Sequence, residues 1–539
     1  MKKISGNIFD PDRQDFYKGT LFFDNKILSF EVDNSVFESQ FVLPGLIDSH
    51  IHIESTMLSP IEFSKVCISH GVVAAVTDPH EIANVCGLEG INFMIENSEK
   101  TPMKIFTGIP SCVPATDFES SGARIGVKEI EELLLSEKCS HLSEMMNFPG
   151  VIYDDPMVLE KIELVKKFGK KIDGHAPLLS GTNLKKYLEA GISTDHECTS
   201  LQEALEKKEL GMKIMLRESS AARDFEMLSP LVDLHPMTVM FCTDDSHPDD
   251  FLRFYIDNLV RRSLKKGYSI QNIIQACTKN PIDHYQLNVG FLRNGDPADF
   301  IVVDNLSDFS IRKTFIDGEE VFDGTSVTVP ALTIVPINNF YSNRVSLSDF
   351  QVKAQKGKKL HVIEIIKDSL LTKHLMMEVT TDHEFLDSDV SNDLLKLVVL
   401  NRYEQAKPSI GFVKGFGLKQ GAIGTSVAHD SHNIIVTGTD DASILRCIQL
   451  IQHHKGGLAT VDSEGEFILP LPIAGLMSDQ PYQVVASEYE KINRRVGETN
   501  LRTPFMTLAF LSLLVIPELK LGDKGLFDVN QFHFIDLQS

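Results

Sequence analysis

Between residues 42 and 285, short apolar runs alternate with amphipathic stretches of helical length. The apolar runs have the length of buried strands, and in the stretches between them apolar residues recur at helical spacing. The eight runs begin at residues 42, 72, 103, 141, 171, 192, 213 and 237. Eight βα units in about 250 residues are typical of a TIM (β/α)8 barrel. We therefore predict an α/β protein with this barrel over residues 44–285.

An open, doubly wound sheet is the alternative arrangement of alternating strands and helices. Such a sheet that binds a dinucleotide usually carries a Gly-x-Gly-x-x-Gly turn after its first strand. No such turn follows the first apolar run of this chain. The pattern therefore favours the closed barrel.

The segments that flank the barrel predict two further units. Residues 1–43 contain short strands, too few to form a core alone. Residues 286–329 contain further strand patterns, so we predict that both segments form one small composite β-domain. Beyond residue 330 the rhythm changes, and residues 432–457 predict a strand, a loop, a helix and a glycine stop. We predict a C-terminal α/β domain over residues 330–539.

Side chains that commonly bind metals follow several predicted strands. Residues 41–54, FVLPGLIDSHIHIE, end in a His-x-His pair. Because side chains alternate along a strand, both imidazoles are expected on one face, at the end of the barrel where catalytic groups gather. The candidate ligands at this end are His50, His52, Glu144, His175, His196 and Asp244. Four imidazoles and two carboxylates predict a centre with enough ligands for two divalent ions.

Composition and charge narrow the class of protein. The formal net charge of −23 disfavours nucleic acid and anionic membranes as partners. The longest apolar run, residues 505–516, is too short to span a bilayer, and the N-terminus lacks a signal-peptide pattern. Eight scattered cysteines without a Cys-x-x-Cys pair are typical of reduced thiols. We therefore expect a cytoplasmic enzyme with a small-molecule substrate.

These motifs resemble the adenine deaminase family of bacterial and archaeal type, in the amidohydrolase superfamily. The resemblance covers nearly the whole chain and lies in PGLIDSHIHIESTMLSP (44–60), VTDPHEIANVCG (76–87), EMMNFPGVI (144–152), GHAP (174–177), STDHECTS (193–200), LRESSAAR (216–223), FCTDDSHPDD (241–250) and LPLPIAGLMSD (469–479). The HIES and TDPHEIANV segments are specific to this branch. The resemblance implies hydrolysis of adenine to hypoxanthine and ammonia, and we expect a homo-oligomer, a dimer.

Two positions depart from the family pattern. Ser246 stands where arginine is expected in TDDRHPDD, and Ser219 stands where LREGSAAR has glycine. Neither residue is a predicted ligand. The departures therefore bear on substrate preference more than on the chemistry.

The resemblance implies two divalent metals per subunit, manganese or iron(II) before zinc. Deamination at neutral pH requires an activated water molecule and two proton transfers. Asp244 is a candidate to take the proton of that water and pass it to the leaving amine. Glu144 is a candidate acid for the ring nitrogen if bridging the metals does not fully engage it. The two assignments compete at this stage.

Four further residues are candidates for substrate binding. His80 and Glu81 follow the second strand, where they can contact substrate, hold another metal or cap the next helix. Arg217 and Glu218 follow the seventh strand, where they can offer a donor and an acceptor to a purine edge or form an ordinary ion pair.

Two other functions remain as alternatives, and a third is rejected. Zinc deaminases of cytidine or nucleic-acid bases use His-x-Glu with a later Pro-Cys-x-x-Cys, and the absence of the second motif from this chain rejects that function. Cyclic-amide hydrolases of the hydantoinase or dihydroorotase kind resemble the chain in His-x-His, but they bridge their metals with a carboxylated lysine where this chain has Glu144. A non-catalytic binding protein on the same barrel is disfavoured because every ligand position is filled.

Overall fold

The first four strands form one side of a mixed sheet. The computed structural model describes residues 1–220, 222–341, 344–367, 369–497 and 499–539. The first strands are β1 (Lys2–Asp10), β2 (Asp15–Phe23), β3 (Ile27–Val32) and β4 (Phe41–Pro44). β1 pairs with β2 along its whole length and runs parallel to β4 on its other side. This sheet needs further strands to cover its buried face.

A closed barrel of parallel strands follows. Its strands are β5 (Leu46–Ile51), β6 (Val72–Thr77), β7 (Lys104–Thr107), β8 (His141–Met145), β9 (Lys171–Gly174), β10 (Thr194–Asp195), β11 (Lys213–Arg217) and β12 (Val239–Cys242). Each pairs with or lies beside the next, and a parallel bridge between Ile109 and Leu142 joins β7 to β8. A bridge between Ile51 and Asp244 closes the ring. The predicted TIM barrel is confirmed.

Helices surround the barrel and connect its strands. They are α1 (Pro60–Ser69), α2 (His80–Ser98), α3 (Val127–Leu135), α4 (Phe148–Ile152), α5 (Pro156–Lys167), α6 (Gly181–Glu189), α7 (Leu201–Glu209), α8 (Phe225–Leu228), α9 (Leu231–Leu234), α10 (Pro248–Phe251), α11 (Ile256–Lys265), α12 (Ile270–Ile274) and α13 (Asn280–Tyr285). α1 begins at Pro60, because proline suits the first helical position. Glu62 forms no capping box with Ser59 and instead accepts a hydrogen bond from Tyr482 N at 3.0 Å.

The apolar run at residues 41–54 is two strands rather than one. β4 lies in the small sheet and β5 in the barrel, with the change of sheet at Gly45. A Cβ atom at Gly45 would lie 2.4 Å from Val73 Cγ1, so only glycine lets the backbone pass this close to the neighbouring strand. The alternation predicted through Glu54 stops near His52, because residues 53–56 form a short 3-10 helix.

The chain returns to the small sheet after the barrel. The strands β13 (Phe300–Val303), β14 (Ile311–Ile316) and β15 (Glu319–Phe322) extend it on the β4 side. Counting described residues only, the sheet has seven strands in the order β15-β14-β13-β4-β1-β2-β3. Phe23 packs against Phe300 and Phe315 with ring centroids 5.0 and 5.5 Å apart. Side chains from both ends of the barrel segment therefore share one core.

The C-terminal part is built on a second large sheet. Its strands and helices are β16 (Lys359–Ile365), β17 (Thr372–Glu378), β18 (Leu394–Leu400), β19 (Ser409–Lys414), β20 (Ala422–Thr425), β21 (Ile434–Gly438), α14 (Asp441–His454), β22 (Gly457–Asp462), β23 (Gly465–Pro470), α15 (Tyr482–Val496), α16 (Pro504–Phe510), β24 (Leu519–Gly522), β25 (Gly525–Asp528) and β26 (His533–Phe534). β21 and α14 confirm the predicted strand and helix. None of the helices in the described residues has the length and apolar content that a bilayer crossing requires.

This C-terminal part packs directly on the carboxyl end of the barrel. Ser478 N donates to Met57 O at 2.8 Å, just after the His-x-His pair. Asn433 Nδ2 donates to Ser120 O at 3.0 Å, in the loop that follows β7. The loop between β20 and β21 is thereby placed over the rim where the predicted ligands lie.

Lys520 is a buried lysine beneath this loop, and it makes the stability of the fold dependent on pH. Its Nζ donates to Leu370 O and Phe510 O, both at 3.0 Å, and burial lowers the pKa of its amino group to about 7. An unfolded lysine keeps its proton up to about pH 10.4, so between the two pKa values the unfolded state binds more protons and stability rises with pH. Across this window we expect the free energy of unfolding to rise by on the order of 4 kcal/mol more in the wild type than in Lys520→Met.

Urea denaturation of both proteins at pH 7 and pH 10 measures this difference. Below pH 7 the folded wild type carries the cost of a buried charge, so Lys520→Met is expected to be the more stable protein there. An identical pH dependence of the two proteins would show that Lys520 stays charged in the folded state.

Candidate active site

The His-x-His pair and Asp244 form the first half of a buried cluster at the carboxyl end of the barrel. The Nε2 atoms of His50 and His52 lie 3.2 Å apart. Asp244 Oδ1 lies 3.5 Å from His50 Nε2 and 3.1 Å from His52 Nε2. The backbone fixes this arrangement, because Asp244 N donates to His50 O at 3.0 Å where the barrel closes.

Glu144 at the end of β8 lies between this half and two further histidines. Its Oε2 is 2.8 Å from His175 Nδ1 and 3.2 Å from His196 Nε2. Its Oε1 is 3.4 Å from His52 Nε2. The structure therefore brings together all six residues predicted as metal ligands, with one carboxylate touching both halves.

The surroundings of both carboxylates of the cluster favour their ionised form. Burial alone raises their pKa, but the adjacent imidazoles outweigh it and hold the pKa of Glu144 and Asp244 well below the usual range. Glu144 is 3% exposed and Asp244 is 5% exposed. Buried anionic oxygens surrounded by imidazole nitrogens are the environment that a divalent cation prefers.

The proton on His52 shows that the cluster fits a metal. His52 Nδ1 lies 3.0 Å from the carbonyl oxygen of Asp78, which can only accept a hydrogen bond, so Nδ1 carries the proton. His52 Nε2 then faces His50 Nε2, Glu144 Oε1 and Asp244 Oδ1, and a bound cation would take the place of a proton at this nitrogen. Metal-binding histidines characteristically donate their other ring N–H in this way. The donor set therefore fits a divalent metal.

His80 and Glu81 lie beside the cluster at the start of α2. His80 Nδ1 is 3.1 Å from Asp78 Oδ2 and 3.5 Å from Glu144 Oε1. His80 Nε2, on the other edge of the ring, is 3.5 Å from Glu81 Oε1. Both residues are buried. His80 thus connects the predicted ligands to a second group of polar side chains.

That second group comes from the loop between β20 and β21, which the sequence interpretation did not include in the site. His429 Nδ1 donates to Glu81 Oε1 at 2.7 Å, and His432 Nε2 contacts the other oxygen of Glu81. His80 Nε2 lies 3.8 Å from Asp430 Oδ1. The only sequence signal is the pair of histidines in VAHDSHN (427–433), which stands at the end of an apolar run as the His-x-His pair stands at the end of β5.

Arg217 faces the cluster but is fully engaged by carboxylates. Its guanidinium donates to Asp244 Oδ2 at 3.1 Å and to Asp224 Oδ2 at 2.9 Å, and it also pairs with Glu197. Three anionic partners leave the buried guanidinium little capacity for a purine. Arg217 therefore orients Asp244.

Glu218 is not brought to the cluster. Successive residues of a strand point to opposite faces, so Arg217 points inward while Glu218 points outward and pairs with Arg262 at 2.7 Å. Glu218 lines a cavity of about 360 Å³ on that outer side, which Ser219 and Ser246 also line. The two residues that depart from the family pattern are thus neighbours at this cavity. The predicted metal ligands do not line it.

Comparison with known proteins identifies the family. The Amidohydrolase family model matches residues 41–321, and the Adenine deaminase C-terminal domain model matches residues 369–533. The chain is 49% identical to an adenine deaminase of Methanosarcina mazei over 100% of this chain and 99% of that protein. It is 50% identical to an adenine deaminase of Sulfurovum over 92% of each chain, and 44% identical to one of Parabacteroides distasonis over 99% of this chain and 98% of that protein.

Among solved structures, the chain is similar to a beta-aspartyl dipeptidase of Fervidobacterium islandicum AW-1, with 19% identity and a TM-score of 0.47 over 60% of this chain and 97% of that one. The matches of both family models and the full-length identities lead to one conclusion. The chain belongs to the adenine deaminase family of the amidohydrolases.

Proposed function

We propose that this protein hydrolyses adenine to hypoxanthine and ammonia. The observation that carries the proposal is the convergence of His50, His52, Glu144, His175, His196 and Asp244 on one buried point at the barrel rim. Full-length identity of 44 to 50% to proteins named adenine deaminase supports the choice of substrate.

Two divalent ions per chain are the cofactor that we propose. His50, His52 and Asp244 would hold one ion, and His175 and His196 the other, with Glu144 between them. Nitrogen and carboxylate donors without thiolate suit manganese, iron(II) or zinc, and we favour manganese or iron(II). When bound, the metal supplies a nucleophile at neutral pH because it lowers the pKa of water to about 7.

Asp244 is the proposed proton carrier. Its Oδ1 faces the two imidazoles of the His-x-His pair, while Arg217 holds its Oδ2. One oxygen is therefore fixed and the other stays directed at the reacting centre. We assign to this oxygen the removal of the proton from water and its delivery to the departing amino group.

Glu144 is proposed as the ligand shared by both halves. Both of its oxygens contact imidazoles of the cluster, Oε1 with His52 and Oε2 with His175 and His196. With both oxygens engaged, Glu144 has no free oxygen for the ring nitrogen of adenine. His80, whose Nδ1 lies 3.5 Å from Glu144 Oε1, is the better candidate for that proton.

The test is an assay of metal-reconstituted protein with adenine, adenosine and dihydroorotate. We expect hypoxanthine and ammonia from adenine, maximal activity near two metal equivalents, and loss of activity with a chelator that manganese restores. Hydrolysis of dihydroorotate in preference to adenine would instead assign the protein to the cyclic-amide hydrolases.

A further inference from the structure

Three buried side-chain atoms of the loop between β20 and β21 have no hydrogen bond within the described part of the chain: His429 Nε2, Asp430 Oδ2 and His432 Nε2. His432 Nε2 is in contact with a carboxylate oxygen of Glu81, which leaves His429 Nε2 and Asp430 Oδ2 without a partner. The residues are 2% and 3% exposed. A buried polar group left unpaired costs about 1–3 kcal/mol, and more when it is charged. Such atoms are explained when a ligand supplies the missing partners.

The surrounding side chains hold both residues in place. Glu81 accepts from His429 Nδ1 at 2.7 Å, and the His429 ring stacks on Phe510 with centroids 4.4 Å apart. His432 Nδ1 accepts from Ala428 N at 3.2 Å, so the proton of its ring lies on Nε2, the nitrogen that contacts Glu81. The contact with His432 fixes the position of the Glu81 carboxylate, and Glu81 in turn fixes the orientation of the His429 ring. A preorganised residue of this kind suits ligand binding.

His80 lies between the predicted metal ligands and the two residues with unpaired atoms, His429 and Asp430. His80 spans the gap, with Nδ1 3.5 Å from Glu144 Oε1 and Nε2 3.8 Å from Asp430 Oδ1. Asp430 is therefore separated from the cluster by one imidazole ring and a contact on each side of it. A planar substrate that places its reacting carbon at the cluster extends over a comparable distance.

The chemistry of adenine fits this separation. The carbon that bears the amino group must face the metal ligands, and N3 lies opposite it across the six-membered ring. N3 accepts a hydrogen bond, and the adjacent N9–H of the free base donates one. The far edge of adenine therefore needs one donor and one acceptor side by side.

We propose that the C-terminal domain binds the far edge of the substrate, with Asp430 accepting a hydrogen bond from N9–H and His429 Nε2 donating one to N3. This inference rests on the proposed function. It makes Asp430 a determinant of specificity, because a nucleoside has no N9–H and would leave a buried carboxylate unpaired.

The electrostatics of His429 agree with a donor role. Burial lowers the pKa of its ring, but the charges of Glu81 and Asp245 outweigh burial and raise the pKa to about 9. At neutral pH both ring nitrogens then carry protons. The proton on Nδ1 forms the hydrogen bond to Glu81, and the proton on Nε2 is available for a hydrogen bond to N3 of adenine.

The experiment compares adenine with 9-methyladenine, which lacks N9–H, and with 3-deazaadenine, which lacks the N3 acceptor. We measure kcat/KM, or the inhibition constant against adenine where turnover is slow, for the wild type, Asp430→Ala and His429→Gln. Asp430→Ala is expected to lower kcat/KM for adenine by about 100-fold. It should lower kcat/KM for 9-methyladenine by only a few-fold, since 9-methyladenine lacks the N9–H that Asp430 would bind. His429→Gln is expected to lower kcat/KM for adenine by a similar factor and kcat/KM for 3-deazaadenine by only a few-fold, since 3-deazaadenine lacks the N3 acceptor.

Equal losses for adenine and its analogues would overturn the proposal, because they would indicate a purely structural role. His453→Gln, an exposed histidine on α14, is the matched control and should leave all ratios unchanged. If Asp430→Ala does not fold, the nearly isosteric Asp430→Asn carries the same comparison. Wild-type turnover of adenine tests the proposed function separately, so a failure of the edge contact alone leaves that function intact.

Discussion

Asp244→Asn is expected to reduce kcat for adenine deamination by about 10⁴-fold. The amide of asparagine cannot take a proton from water. The substitution also removes the negative charge that contacts two imidazoles and the guanidinium of Arg217. The shape of the side chain is nearly unchanged, so the fold should survive. Initial rates of hypoxanthine formation, measured on protein of known metal content, test this expectation.

Asp257→Asn is the matched control for this variant. Asp257 is also a buried aspartate, but it pairs with His70 and Arg261 on the outside of the barrel. Its loss is expected to lower stability and to leave kcat within a few-fold of the wild type. Asp244→Asn with more than a tenth of wild-type activity would remove Asp244 from the proton transfer.

Glu144→Ala is expected to abolish binding of the second metal and to lower activity by at least about 10⁴-fold. Glu144 is the carboxylate that touches both halves of the cluster, through His52 on one side and through His175 and His196 on the other. Its removal leaves four imidazoles and a single carboxylate, Asp244, to hold two dications. Elemental analysis after dialysis is expected to find fewer than two metal equivalents per chain.

Glu203→Gln provides a control for the loss of a buried glutamate. Glu203 accepts from Lys207 at 2.6 Å and from Leu178 N at 2.8 Å, away from the cluster. The Glu203→Gln variant should therefore retain two metal equivalents per chain and most of the wild-type activity. Retention of two tightly bound ions by Glu144→Ala would instead show that the two halves bind metal independently.

The barrel and the six clustered side chains follow from local signals. Each ligand stands at the end of an apolar run, and the eight runs recur at a spacing that only a few architectures allow. Once the strands are parallel and the ring is closed, their carboxyl ends must meet. The positions of His50, His175 and Asp244 were thus predictable without knowing any distance.

The contribution of the C-terminal domain was not predictable in this way. His429 and His432 contact Glu81 across almost 350 positions, and no periodicity encodes such a contact. For Arg217 and Glu218 the structure has ion pairs, which is one of the two alternatives that the sequence left open. The two residues are consecutive at the end of a strand, so the alternation of side chains already prevents both from facing the centre.

The small sheet constrains the order of events during synthesis. Strands β1 to β4 leave the ribosome first, but β4 gains its second neighbour only when β13 is made, after the whole barrel has been translated. Until then the apolar face of the sheet that carries Phe23 is not covered by Phe300 and Phe315. The nascent chain therefore exposes the unpaired edge of β4 while the barrel is being translated. We expect chaperones that bind unpaired strand edges to bind the first 44 residues during this period.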